Sequence, residues 1–225
     1  GGLTYGGIVI RKDATLRDSL EILEAVLEYF YAHNVTTLRY KKIPRFYNNV
    51  PDDDVDYFMF LSDARIFRRD CALVINQPGA LPFRKGRKSE ISKARRYDVA
   101  LIEDESFAPF WLEVLEPRLE RRYERKPVHS LSEMKKLGEL FPQNIKQYSA
   151  YIGESIVGGV VIYETPTVAH AQYIAVTDRR QETGALDALF GWLIKERYKD
   201  KSHFDFGIVN ENDGRKLNQG LLSWK

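Results

Sequence analysis

The stretch from Val176 to Glu196, VTDRRQETGALDALFGWLIKE, places two arginines, a glutamine and a glycine directly before an apolar periodic segment. Its apolar residues recur at three- and four-residue steps, which predicts one face of a helix. These residues are Leu186, Leu189, Phe190 and Leu193. The start of a helix exposes unpaired backbone N–H groups and the positive end of the helix dipole, and both favour a phosphate. The stretch therefore predicts an anion site, provided that these amides are open to solvent.

The residues of this turn allow two interpretations. In the first, Arg179, Arg180 and Gln181 add hydrogen-bond donors, and Gly184 lets a ligand approach the backbone closely. In the second, the arginines are solvated, Thr183 is an N-cap and Gly184 merely fits the turn.

The segments around this stretch predict a sheet. Three strands precede it, with turn signals at Gly153-Glu154 and at 164–167, and they predict an antiparallel meander. These strands are IKQYSAYIG, SIVGGVVIY and VAHAQYIAV. SHFDFGIV, residues 202–209, predicts a further strand after the helix.

The N-terminal part shows a similar order. Residues 4–10 and 35–43 are rich in β-branched and aromatic side chains, and they flank a helix that begins near Leu16. This order predicts a β-α-β unit with a parallel pair of strands. Residues 57–61 predict a strand or a short helix. We interpret the whole chain as a duplicated fold whose first copy lacks its early strands.

A cluster of turn formers at residues 76–82, NQPGALP, predicts the boundary between the domains. The expected domains are 1–82 and 83–225. A basic segment follows the boundary and includes Lys93, Arg95 and Arg96. It is either an anion-binding surface near the substrate or the charged, solvent-facing side of a helix.

Composition excludes several classes of protein. The 225 residues are 44% hydrophobic and 29% charged with a net charge of +2, so no global field attracts DNA or an anionic membrane. No apolar run approaches the roughly 20 residues that span a bilayer. The single cysteine, Cys71, favours a reducing cytoplasmic compartment. Because the chain begins GGLTYGG without Met, we expect a fragment.

Metal and hydrolase chemistry have no support in the sequence. The four histidines are scattered without ligand spacing, so no metal site is expected. No G-x-S-x-G motif occurs, so a serine hydrolase is not indicated either.

The turn resembles the motif Q/R-x-x-G-x-G/A of the GNAT acyltransferases, which lies between a meander strand and a helix. Gln181, Glu182, Thr183, Gly184 and Ala185 follow the motif, whereas Leu186 stands where the family prefers Gly or Ala. This resemblance implies acyl-CoA, such as acetyl-CoA, as the donor. Its phosphates would lie on the turn from Arg179 to Ala185, and its acyl arm would lie along the strand that includes Ile174 and Val176.

Nearly the whole chain resembles the double-GNAT group that includes the Fem-type peptidyltransferases and BioF2-like acetyltransferases. The resemblance rests on ISKARRYDVAL at 91–101, AYIGESIVGGVVIY at 150–163, FDFGI at 204–208 and the final GLLSWK. In Fem-type enzymes the lysine of this closing motif is implicated in stabilising the charge that develops in the transition state. Lys225 is the matching residue, although as the last residue it is also prone to fray.

Two further side chains are candidates for proton transfer. Asp205 lies between Phe204 and Phe206, so it faces away from the core if the phenylalanines face it. It either moves a proton or accepts bonds from backbone amides. Tyr173 is a candidate hydroxyl for the leaving group, although most of the 13 tyrosines are expected to be packing residues.

These observations predict an α/β protein with two GNAT-like halves, each a mixed sheet flanked by helices, the first half incomplete. The expected function is transfer of an acyl group from acyl-CoA to a small-molecule or peptide amine, in a groove between the halves or beside the second meander. One alternative is a peptidyltransferase that uses aminoacyl-tRNA and acts on a cell-wall precursor. The other is a GNAT-like binding protein without catalytic activity.

Overall fold

The computed structural model describes residues 6–50, 53–178 and 180–225, and for Arg180 and Gln181 it describes the backbone only. The chain divides into two compact units, Gly1–Arg69 and Asp70–Lys225. This division precedes the expected boundary at residue 82. The physical reason is strand β1 (Ala72–Asn76), which pairs with a strand near residue 205 and so belongs to the sheet of the second unit.

The N-terminal unit contains helices α1 (Leu16–Ala32) and α2 (Asp54–Leu61) and a short 3-10 turn at Arg45–Tyr47. A capping box starts α1, because Thr15 accepts from the Asp18 amide and the Asp18 carboxylate accepts from the Thr15 amide. The small core consists of Leu23, Val55 and Phe58.

The predicted β-α-β unit is wrong for the described residues of this unit. Residues 6–10 and 35–43 form no strand there, and among the described residues their backbones pair in one isolated bridge between Gly6 and Lys41. That bridge is antiparallel, so the expected parallel pair is not formed. Residues 1–5, where the first predicted strand begins, lie outside the described part. β-branched composition predicts a pleated surface only where a partner strand is available, and here the pairing is missing.

The C-terminal unit contains the sheet that sequence patterns predicted. Its strands after β1 are β2 (Ala100–Glu103), β3 (Ile145–Ile152), β4 (Ser155–Glu164), β5 (Val168–Val176), β6 (His203–Ile208), β7 (Asn210–Glu211) and β8 (Lys216–Leu217). Its helices are α3 (Lys85–Arg96), α4 (Glu116–Tyr123), α5 (Leu131–Leu140), α6 (Arg180–Thr183), α7 (Ala185–Trp192) and α8 (Gln219–Trp224). Phe110–Leu115 is a π-helical segment that leads into α4, and Leu193–Arg197 is a second one that follows α7.

The six-stranded sheet has the order β1-β6-β5-β4-β3-β2. Strands β3, β4 and β5 form the predicted antiparallel meander, with Gly153 in a left-handed conformation at the first turn. The pair β5–β6 is parallel and the remaining pairs are antiparallel. The architecture is therefore a mixed sheet flanked by helices, as the sequence predicted.

Each face of this sheet is covered by a different set of helices. Helix α7 packs on one face with Phe204 and Phe206 of β6, and α3 packs in turn on α7. The π-helical segment at Phe110–Leu115 and α5 cover the other face, against Tyr173 of β5. Since successive strand residues point to opposite faces, Asp205 belongs to the second face.

None of the helices within the described residues is long and apolar enough to cross a membrane. Over the same residues, no group of three His, Cys, Asp or Glu side chains is arranged to hold a metal ion.

Candidate functional site

Strands β5 and β6 pair only at their beginnings and then separate. Their paired positions are Val168 with His203, Ala169 with Phe204 and His170 with Asp205. Beyond Asp205, β6 continues along β1, and beyond His170, β5 continues along β4. A cleft therefore opens between two parallel strands directly after the His170–Asp205 pair.

Both strands carry an extra residue at this opening. On β5, Tyr173 pairs with Val161 and Ala171 pairs with Ile162, so Gln172 is the bulged residue. On β6, Gly207 lies in a bulge opposite β1 and has φ +73°. A bulge leaves one residue out of the ladder and redirects the side chains beside it, and bulges are frequent next to active sites.

A buried polar network closes the base of this cleft. The Asp205 carboxylate is fully buried and accepts from Nδ1 of His170 at 2.8 Å and from the Gly207 amide at 2.7 Å. On the other side of the ring, Nε2 of His170 lies 3.0 Å from Oε1 of Gln172. With the amide oxygen facing the ring, both ring nitrogens donate, and turning the amide over makes Nε2 an acceptor. The network can therefore hold or pass on a proton.

Lys225 lies beside the same network. Its ammonium donates to the carbonyls of Phe206 at 2.6 Å and of Ile208 at 2.9 Å, on strand β6. Burial lowers the pKa of Lys225 to about 8, and the nearby Asp205 charge opposes this shift. An ammonium has three N–H donors, so one more is available beyond these two bonds.

Tyr173 lies on the same face of the sheet, and its hydroxyl contacts His129 as well as the Gln172 side chain. Its hydroxyl lies 2.6 Å from Nδ1 of His129 and accepts from the His129 amide at 3.3 Å. Its ring packs against Trp111 in an edge-to-face contact. Burial raises the pKa of Tyr173, so the phenol stays protonated at neutral pH.

At the start of α7, one of the amides expected to hold phosphates has a partner within the protein. Thr183 and Ala185 are fully buried, and the Ala185 amide donates to Oγ1 of Thr183. Gly184 has φ +65°, and a Cβ there would collide with the Glu90 carbonyl of α3. This glycine therefore allows two helices to approach each other, and its role as a ligand contact stays a prediction. Arg179 lies outside the described residues, as do the side chains of Arg180 and Gln181.

Ile174 and Val176, the residues expected along the acyl arm, lie on strand β5 before this turn. Their side chains pack in the core beneath α7. The Thr177 amide donates to the Val157 carbonyl of β4. Backbone groups alternate along a strand, so those of Val176 and Ile174 point away from β4, toward the side from which β6 has departed. The edge of β5 therefore borders the cleft.

The basic side chains of α3 lie apart from this cleft. Lys93 forms an ion pair with Glu90 of the same helix, and Arg95 and Arg96 are exposed in its last turn. Helix α3 packs against α7, on the face of the sheet opposite to Asp205. The structure thus brings together Asp205 and Lys225, with Tyr173 nearby. The three basic residues of α3 are not part of this group.

Sequence reasoning missed His170, Gln172 and Gly207. His170 and Gln172 are two residues apart on one strand, and a polar pair at this spacing inside an apolar strand was the available signal. That signal does not reveal the partner Asp205, because the pairing of β5 with β6 joins residues 35 positions apart in the chain.

No protein-family model matches the sequence, and no curated protein matches it. Among solved structures, FemX is similar over 93% of this chain and 73% of its own, with a TM-score of 0.69 and 9% identity. L-PGS from Bacillus licheniformis is similar over 66% of this chain, with a TM-score of 0.51 and 14% identity. The chain covers 49% of L-PGS, about half its length.

A GNAT family acetyltransferase from Elizabethkingia anophelis with acetyl-CoA bound is similar over 46% of this chain and 60% of its own. Its TM-score of 0.31 and identity of 18% are too low to carry a structural argument. The similarity to FemX, in contrast, extends over 93% of this chain with a TM-score of 0.69, and it supports the fold. This chain therefore has a GNAT-like fold of the Fem type.

Proposed function

We propose that the chain is an N-acyltransferase that moves an acyl group to an amine in the cleft between β5 and β6. The observation that carries this proposal is the parting of two parallel strands at His170 and Asp205, with a bulge on each strand and Lys225 alongside. Acyl transfer to an amine needs a group that takes a proton and a group that stabilises an oxyanion. Both kinds of group are present here.

The first step concerns the amine, which must be neutral to attack. His170 takes the amine proton on Nε2, while Asp205 accepts from Nδ1–H and so holds the ring in one tautomer. The amine nitrogen then bonds to the acyl carbon. No covalent intermediate on the protein is required.

The second step concerns the charge on the carbonyl oxygen. The third N–H of the Lys225 ammonium is the donor placed to stabilise it. When the bond from the acyl carbon to the leaving sulfur or oxygen breaks, the leaving group takes up a proton from His170. The network then returns to its starting state.

The donor lies along the open edge of β5. Backbone groups of Ile174 and Val176 point toward the cleft, and they offer hydrogen bonds to an extended arm in the manner of an added strand. We assign acyl-CoA, such as acetyl-CoA, as this donor, because its arm is extended and carries amides. The acceptor is a small-molecule or peptide amine.

Aminoacyl-tRNA is the second candidate donor. The observation that favours it is the similarity to FemX over 93% of the chain, since the Fem-type enzymes that the sequence resembles use such donors. The proposed chemistry at His170, Asp205 and Lys225 is the same for both donors, because each presents an activated carbonyl carbon. A binding protein without activity is the remaining alternative.

The test is an assay of the 225-residue chain with labelled acetyl-CoA or labelled aminoacyl-tRNA and a panel of primary amines. We expect label to move from acetyl-CoA to an amine and free thiol to appear in equal amount. Transfer only from aminoacyl-tRNA would select the second donor. If both donors bind and neither reacts in the wild type, the transferase proposal is wrong and the binding-protein alternative stands.

A further inference from the structure

A cavity of about 390 Å³ lies at the end of β5, on the face of the sheet that carries Asp205. Its walls come from the start of β4, the end of β5 and the helical segment around α4. Val114, Pro117 and Ile156 supply apolar surface. Ser155, Arg118 and Arg121 supply hydrogen-bond donors.

The two arginines converge on a single carboxylate. Nη1 of Arg118 lies 3.0 Å from Oδ1 of Asp178, and Nη1 of Arg121 lies 2.5 Å from Oδ2. The two residues are three positions apart on α4, so they share one side of the helix. A pair of guanidinium groups around two oxygens is the arrangement that binds carboxylates and phosphates.

We infer that Arg118 and Arg121 form a site for the phosphate group of the donor, and that Asp178 occupies this site in the free protein. The inference rests on the proposed function, and it places the phosphates beside α4 instead of on the turn before α7. The bulge at Gln172 and the cavity wall at Val176 are four residues apart, or roughly 13 Å along an extended strand. A donor with a flexible arm between its acyl group and its phosphates spans such a separation.

The charges in the cavity explain why the Asp178 side chain has to leave the site before a phosphate binds. Arg118 and Arg121 bring two positive charges, whereas Asp178 and Glu113, which also lines the cavity, bring two negative ones. With Asp178 in place the site is neutral, and with Asp178 displaced it is positive. The Asp178 side chain is 64% exposed, and exposed ion pairs contribute little to stability, so the carboxylate is easily displaced.

The size of the cavity favours a small donor. A volume of about 390 Å³ fits phosphate groups and part of an attached arm, but not a nucleic-acid helix. The phosphates of coenzyme A are therefore the ligand that we assign to this site. A phosphate of tRNA is the competing source of the same chemistry.

The test measures binding of coenzyme A and of inorganic pyrophosphate to the whole chain by titration calorimetry. The double variant Arg118→Ala/Arg121→Ala should weaken binding of both probes at least about tenfold, through loss of charge-assisted hydrogen bonds. Asp178→Asn should strengthen binding by about threefold, because it removes the competing charge. The matched control is Arg122→Ala, whose guanidinium lies over the Tyr123 ring of the same helix and does not line the cavity.

The arginine variant is expected to weaken binding and the aspartate variant to strengthen it, so the two results together decide the question. If Asp178→Asn weakens binding as the arginine variants do, Asp178 only orders the loop and the inference is overturned. It is also overturned if the double variant binds both probes normally, if the wild type binds neither, or if only tRNA competes. Acyl transfer that persists with normal coenzyme A binding in the double variant would reject this site and keep the proposed function. Arginine-dependent binding without any transfer would reject the function and keep the site.

Discussion

The Asp205 carboxylate accepts a hydrogen bond from Nδ1 of His170 at 2.8 Å, at the last position where β5 and β6 are paired. The same carboxylate accepts from the Gly207 amide, in the bulge of β6. One side chain thus links the last paired position of β5 and β6 to Gly207, two residues further along β6. This relationship places a buried acid and a base at the floor of the cleft.

Replacing Asp205 tests the role of this pair. In Asp205→Asn the amide oxygen can still accept from the Gly207 amide, but the ring of His170 loses its charged partner. We expect kcat to fall about 100-fold with little change in KM, since the proton acceptor is no longer held in the correct tautomer. Steady-state kinetics measure this change. Asp200→Asn, at an exposed position before β6, is the matched control and should keep full activity. Unaltered transfer by Asp205→Asn would remove this residue from the site.

Lys225 gives a prediction for the dependence of activity on pH. Its pKa is lowered to about 8, so the ammonium that serves as donor is lost as the pH rises through that value. We expect kcat to decline above about pH 8. Lys225→Met should have low activity without this decline, whereas Lys216→Met, at an exposed position, should leave the profile unchanged. An identical alkaline decline in Lys225→Met would assign the titration to another group.

The same pKa shift predicts the pH dependence of stability. Between about pH 8 and 10.5, the unfolded chain binds more protons at Lys225 than the folded chain does. The free energy of unfolding of the wild type should therefore rise with pH across this window, relative to that of Lys225→Met. Urea denaturation at a series of pH values measures the difference. A constant difference between the two proteins would mean that Lys225 is not desolvated.

Replacing Gly184 is expected to have a large effect on stability. A methyl group there meets the Glu90 carbonyl, and the residue has φ +65°. We expect Gly184→Ala to lower the free energy of unfolding by about 2–4 kcal/mol, through backbone strain and loss of close packing between α3 and α7. Gly86→Ala, at an exposed position in α3 with open space around it, should instead stabilise by about 0.5–1 kcal/mol. A neutral result for Gly184→Ala would show that the two helices can separate.

Replacing Tyr173 tests whether its hydroxyl has a structural or a catalytic role. Because its hydroxyl is bonded to His129, we expect Tyr173→Phe to cost about 1 kcal/mol of stability and to change kcat less than about threefold. Tyr163→Phe, which removes a longer contact to Met134, is the control for loss of a buried hydroxyl. A fall in kcat comparable with that of Asp205→Asn would instead restore Tyr173 as a donor to the leaving group.

The C-terminal sheet was predictable because its signals are local. The turns at Gly153 and at residues 164–167 fix the meander, and the apolar spacing of 186–193 fixes α7. Within the described residues, the strands predicted at 6–10 and 35–43 are not formed, for a different reason. Their composition suits a sheet, but a strand needs a neighbour, and composition does not say whether one is present.

The site was predictable only in part. Alternation between Phe204 and Phe206 correctly turned Asp205 away from the core of α7, because this rule depends on neighbouring residues alone. His170 could not be assigned, since its role depends on the register between β5 and β6. Gly184 shows the same limit: sequence indicates that something approaches the backbone, but not that it is a carbonyl of α3.

The extra residues at Gln172 and Gly207 also bear on how such a protein can diverge. Each lies in the ladder that its strand forms with its other neighbour, β4 for Gln172 and β1 for Gly207, so deleting it would shift the register of that pairing. Exchanging the surrounding side chains leaves the gap itself intact. Point mutation can therefore vary the lining of the cleft, whereas a change of length at either position would turn the later side chains of that strand to the opposite face.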